Sequence, residues 1–155
     1  MKKALAFFFI LTTLFVLCHP QTVSGYHYQG PEMELIMLVN AERAKKGVPP
    51  LTVNWEVARV ARYKSEEMKR HGLLSHESLV YGSPAQQLTR FQVPHSLVGA
   101  NIAMGQETSM EVLGAWLSSQ SHYANLINAE YTSAGVGFSM GDNGIYYWTL
   151  MLVRD

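Results

Sequence analysis

The sequence predicts an α+β domain, a three-layer α-β-α sandwich whose central antiparallel sheet ends in a C-terminal hairpin. Three observations carry this. Helical patterns fill the chain up to Leu117, and strand patterns fill its end, where Val136, Phe138 and Met140 alternate with Gly137 and Ser139 and where Ile145 to Val153 is rich in aromatic and β-branched residues. Asp142-Asn143-Gly144 separates the two strands, and Asn-Gly suits a type I′ turn with two positive φ angles. The last strand is apolar on both faces, with Tyr147, Met151 and Val153 on one and Trp148, Leu150 and Leu152 on the other, which places it inside a sheet covered by helices on both sides.

In chain order, residues 1–25 read as a secretory signal. Lys2 and Lys3 precede an apolar run from Ala4 to Cys18, too short for a comfortable membrane span, and small and polar residues follow up to Gly25. Cys18 is the only cysteine, and Leu17 before it departs from a lipoprotein signal, so the thiol is expected to leave with the signal. The remaining chain is long enough for one core without disulfides, and the expected location is extracellular, free or associated with the cell wall. Without Lys2 and Lys3, ten basic side chains face twelve acidic ones, a net charge of −2 with no block of like charge. Neither nucleic acid nor an anionic membrane surface is an expected partner.

Residues 26–30 form a short lead-in, and residues 31–155 the domain. Pro31 opens a helix with Leu35, Ile36, Leu38 and Val39 on its apolar face, ending before Gly47 and Pro49-Pro50. Asn54 caps a second helix with Val57, Ala58, Ala61 and Met68 along one side, which stops at His71-Gly72; its charged residues Arg59, Arg62, Lys64, Glu66 and Lys69 read as solvated surface. Ser83-Pro84 begins a shorter helix through Leu88 and Phe91. Pro94 and Gly99 bracket a loop, and Thr108-Ser109-Met110-Glu111 fits a capping box before Val112, Leu113, Trp116 and Leu117. The methionines, from Met33 and Met37 through Met104, Met110 and Met140 to Met151, read as core filler.

Several short motifs then share one order: Asn40-x-x-Arg43, Leu74-Ser75-His76, Gly99-x-Asn101-Ile102-Ala103, Trp116 with His122-Tyr123-x-Asn125, and Gly135-Val136-Gly137. Over residues 32–153 the chain resembles the CAP superfamily of cysteine-rich secretory, antigen 5 and pathogenesis-related proteins, and is most similar to its compact, disulfide-free bacterial SCP-like branch. The resemblance implies the same α-β-α sandwich and a cleft in which His76 and His122 meet, with Asn101 and Ser119 beside them. The family's two cleft glutamates do not carry over: Ala100 stands at the first position and Ser119 at the second.

Two neutral imidazoles can ligate zinc or another divalent cation, but zinc sites normally take three or four protein ligands, so His76 and His122 alone should bind it weakly. As acid and base the pair would titrate near neutrality, yet an imidazole base is usually oriented by a carboxylate, which Ala100 removes. Ser75, Ser119 and Ser121 lack a nucleophile-elbow context. The plainer alternative is that both histidines are structural and hydrogen-bond to backbone. The expected function is a secreted binding module for a small ligand, with lipid implied by some family members, or for a cell-envelope component; the runner-up is a metal-assisted or acid-base hydrolase of envelope peptide or glycan.

Overall fold

The computed structural model describes residues 30–154. The expected signal and nearly all of the lead-in lie outside these residues. In order come α1 (Gly30–Lys45), β1 (Thr52–Val53), α2 (Trp55–His71), α3 (Pro84–Arg90), β2 (Leu97–Met104), α4 (Ser109–Leu117), α5 (Gln120–Ile127), β3 (Ser133–Met140) and β4 (Tyr146–Arg154).

The strands pair in the order β1-β3-β4-β2. The C-terminal hairpin thus forms the middle of the sheet, as the two-sided apolar pattern of β4 requires, and seven consecutive residues of β4 are buried. The sheet is mixed rather than wholly antiparallel, because the two-residue strand β1 runs parallel to β3. On one face α1, α4 and α5 enclose Ala134, Val136, Trp148, Leu150 and Leu152; on the other, α2 and α3 cover Met151 and Val153. Glycine makes the second contact close. A Cβ on Gly135 would lie 2.1 Å from the Ala58 nitrogen, and one on Gly137 2.2 Å from the Ala61 carbonyl carbon, so α2 rests directly on the β3 backbone. Ser65 adds a polar rivet there, its hydroxyl 2.9 Å from both Gly137 O and Thr149 Oγ1.

The caps follow the sequence closely. Asn54 accepts from Glu56 and Val57 N–H, Ser83 and Thr108 each form a full capping box, and Gly72 ends α2 in the left-handed region at φ 60°.

Five further expectations need correction. The hairpin turn is not type I′: Gly144 has a positive φ of 78° but Asn143 does not, and Gly144 N–H bonds Gly141 O while Gly141 N–H bonds Ile145 O. This is a three-residue loop, a type I turn closed by a left-handed glycine, and Asn143 Oδ1 accepts from Ile145 N–H instead of adopting positive φ itself. The stretch bracketed by Pro94 and Gly99 is a loop only at its start, since β2 begins at Leu97; a strand reading Leu-Val-Gly-Ala-Asn-Ile-Ala-Met has low propensity and is held by pairing along β4. A separate helix, α5, follows Ser119 after the expected end at Leu117. Among the methionines, Met68 and Met151 are core, but Met37, Met104, Met110 and Met140 are exposed. Finally, Lys64 is buried at 2% exposure and pairs with buried Glu67, while Arg62 bridges to buried Glu32 on α1 with Nε 2.8 Å from Oε1.

Candidate functional site at the free edge of the sheet

β2 is an edge strand, and the site is built around its free side. The carbonyls of Ala100 and Ile102 point away from β4 and accept hydrogen bonds from Asn125 Nδ2 at 3.3 Å and Trp116 Nε1 at 3.0 Å, so α4 and α5 cover the exposed edge. Asn101, fully buried within the strand, donates to His122 O at 3.0 Å and accepts from Asn125 Nδ2 at 2.9 Å. It fixes the first turn of α5, and with it His122, against the sheet. Asn101 is thus a strut inside β2.

His76 comes from the opposite face, on the segment that leaves α2. A buried polar network pins that segment. Lys64 Nζ bonds Glu67 Oε2 at 2.8 Å and Glu77 O at 2.7 Å; Glu67 Oε1 accepts from Ser78 Oγ and Leu79 N–H; Gln87 Nε2 donates to His76 O and Gly82 O. Burial raises the Glu67 pKa, but the bonds from Lys64, Ser78 and Leu79 together outweigh it and leave the carboxyl below its ordinary value. The loop carrying His76 is thus tied at its backbone.

The two rings meet around the edge of β2 with centroids 6.4 Å apart, and the Trp116 ring stands 6.5 Å from that of His122. Among the described residues, no ring nitrogen of His76 or His122 takes part in a hydrogen bond, whereas His95 Nδ1 lies 2.8 Å from Val93 O. Desolvation lowers the pKa of both. For His76 the neighbouring His122 and Lys64 lower it further, with Glu77 acting against them. Both shifts favour the neutral imidazole. Ser119 begins α5 without a side-chain cap bond, its hydroxyl 3.3 Å from Ser121 Oγ.

Metal chemistry fits this arrangement poorly. A tetrahedral ion about 2.1 Å from each nitrogen would hold two imidazole centres about 5.3 Å apart, closer than they are. No group of three or more potential ligands occurs among the described residues, and the ammonium of Lys64 acts on the same ring. Two histidines do not by themselves make a zinc centre.

The order of these parts, from the Asn40 and Arg43 turn through both histidines to the glycine-bearing strand, decides the relationship: residues 36–152 match the family described as CAP, the cysteine-rich secretory protein family. The chain belongs to the CAP family. This CAP domain is 39% identical over 119 residues to the uncharacterized protein YkwD of Bacillus subtilis, spanning 77% of the chain and 44% of that protein. It superposes with a TM-score of 0.73 and 31% identity on an extracellular SCP-domain protein of Bacillus anthracis, covering 81% of this chain and 41% of that one. An outer surface protein of Borrelia burgdorferi has the same fold at a TM-score of 0.73, with 21% identity and coverage of 79% and 90%. The chain thus spans less than half the length of both Bacillus relatives. No helix among the described residues is long and apolar enough to cross a membrane.

Of the residues expected at the site, His76, His122 and Asn101 belong to one assembly, and Ser119 lies at the start of the helix that bears His122. Lys64, Glu67 and Gln87 were missed. For two of them a signal existed: Val57, Ala61, Lys64 and Met68 follow the spacing of one helix face, and Glu67 lies three residues from Lys64.

Proposed function

We propose that the domain is an exported binding module whose His76–His122 cleft takes a small polar ligand or a polar part of a cell-envelope component. The observation that supports this most is the contrast between anchored backbones and unengaged rings. Asn101 and Gln87 hold the His122 and His76 carbonyls, yet the imidazoles, with centroids 6.4 Å apart, make no hydrogen bonds to the described residues. Structural histidines hydrogen-bonded to backbone would look like His95 instead. A binding role asks only for such pre-set donors and acceptors. Hydrolysis asks in addition for an oriented base, and Ala100 and Ser119 supply no carboxylate to orient one.

Titration of the protein with soluble glycan and peptide fragments of the cell envelope, following the ring resonances of His76 and His122, tests the reading. Both histidines should shift along one saturation curve, and His122→Ala should abolish the shift at His76. Saturable binding that leaves both resonances unmoved would place the ligand site elsewhere.

A further inference from the structure

A groove of about 600 Å³ lies beyond the His76 loop, between Val80 and Tyr81 on one wall and Gln86, Thr89 and Arg90 of α3 on the other. It adjoins a second hollow of about 330 Å³ that shares Tyr81 and Arg90 and is completed by Arg59, Phe91 and Gln92. Neither is lined by a carboxylate. The walls are built from a ring cluster: Tyr81 meets Phe91 edge-on at 5.6 Å and Tyr63 at 5.3 Å, and the Arg59 guanidinium sits 5.1 Å above the Phe91 ring. Glu56 and the Phe91 carbonyl hold Arg59 in that pose, while exposed Arg90 makes no ion pair among the described residues.

An independent feature sits at the same place. Gln92 has φ 59°, and every other described residue with a positive φ is a glycine. It occupies the left-handed position just past α3, where its N–H bonds Thr89 O and the next, that of Val93, bonds Leu88 O. Glycine would take that conformation without the steric cost a side chain incurs. Gln92 thus lines the hollow from a backbone conformation that costs stability, a pattern found at binding sites.

We propose that this groove is a second ligand site, which takes an acidic glycan chain, with sugar faces against the Tyr81 wall and a carboxylate on Arg90. Aromatic walls rimmed by exposed amides and a hydroxyl from Gln86, Gln92 and Thr89 suit hydroxyl-rich rings. An acyl chain would need enclosure that an open groove does not provide. Arg90, exposed and without an ion pair among the described residues, selects an anionic sugar over a neutral one, while Arg59 is already paired with Glu56.

Calorimetric titration with a hyaluronan hexasaccharide, with neutral chitohexaose and with phosphatidylglycerol vesicles tests the proposal. Hyaluronan should bind saturably, chitohexaose about tenfold more weakly, and Arg90→Ala should lower hyaluronan affinity by about tenfold. Gln92→Gly should weaken binding while raising the thermal midpoint by about 3 °C, which separates a ligand role from a structural one. His76→Ala should leave hyaluronan affinity unchanged, so failure here is distinguishable from failure of the cleft reading. Absence of saturable hyaluronan binding, equal affinity for the neutral sugar, or binding to the vesicles alone would each overturn it.

Discussion

Arg43 and the His76–His122 pair are both polar clusters where distant segments meet, and they are finished in opposite ways. Arg43 is fully buried and makes no ion pair among the described residues, and burial lowers its pKa. Its Nε donates to Pro49 O, Nη1 to both Leu126 O and Asn128 O, and Nη2 to Tyr131 O, at 2.8 to 3.1 Å. Four of its five N–H donors are thereby used, two of them on carbonyls at the end of α5 that the helix cannot satisfy itself. Asn40, one turn earlier, exchanges two bonds with the Leu51 backbone. The motif that first suggested the family is therefore a clamp that holds α1, α5 and the approach to β3 together. At the histidines the same economy stops short: backbones are tied and rings are left open. Complete satisfaction marks Arg43 as a part that holds the fold, and the open rings are what the proposed binding role rests on.

The largest effect expected from this contrast is at the clamp. Arg43→Met should destabilise the domain by about 5 kcal/mol, since several buried carbonyls lose their donors at about 1 to 3 kcal/mol each, and denaturant unfolding measures it. A loss below that of an ordinary surface change would mean that water replaces the guanidinium, and the clamp would no longer differ in kind from the histidine pair. Trp148 gives the apolar benchmark between the two: it is fully buried and its Nε1 donates to Gln106 O at 2.8 Å. Trp148→Ala should cost about 3 to 5 kcal/mol by the same measurement.

His122→Ala should change stability by only about 0.5 kcal/mol near pH 8, because no hydrogen bond to its ring is lost; a cost near that of Trp148→Ala would make the histidine structural. The pH dependence sharpens the test. Both folded-state pKa values lie below the ordinary histidine value, so the unfolded chain takes up protons first as the solution is acidified. This contribution is fully present above about pH 6.5 and lost as pH falls through the lower folded values. His122→Ala should shrink that acid loss and raise the His76 pKa, read by proton resonance titration. The smallest change in stability is expected at Ala100, on the face of β2 opposite Asn101, but the effect on ligands should be large. Ala100→Glu should tighten zinc binding by about 10- to 100-fold by restoring a carboxylate at the family's first glutamate position, with the gain lost in combination with His122→Ala and on acidification below about pH 6.5. Equal zinc affinity in parent and both variants would show that the pair cannot be turned into a metal site.

Local chemistry was legible in the residues themselves. Asn54, Ser83 and Thr108 marked helix starts because a short polar side chain can meet its own helix's N–H groups, and the apolar run of β4 announced burial on both faces. The order of weak motifs was enough for the family. What the residues did not disclose was which charges are buried, since Lys64 and Arg43 carry the same composition as any surface lysine or arginine, and only their place on an apolar helix face set them apart. The strand Leu97–Met104 was obscured because its pairing partner, β4, and not its own propensity, keeps it extended. The meeting of His76 with His122 was implied by family likeness alone; the fold decided its distance and surroundings, by bringing the loop after α2 and helix α5 together at one sheet edge. Hydrogen bonds within a turn of chain are written in adjacent residues, but burial and ring-to-ring geometry arise from contacts between distant ones, and those exist only once the layers have packed.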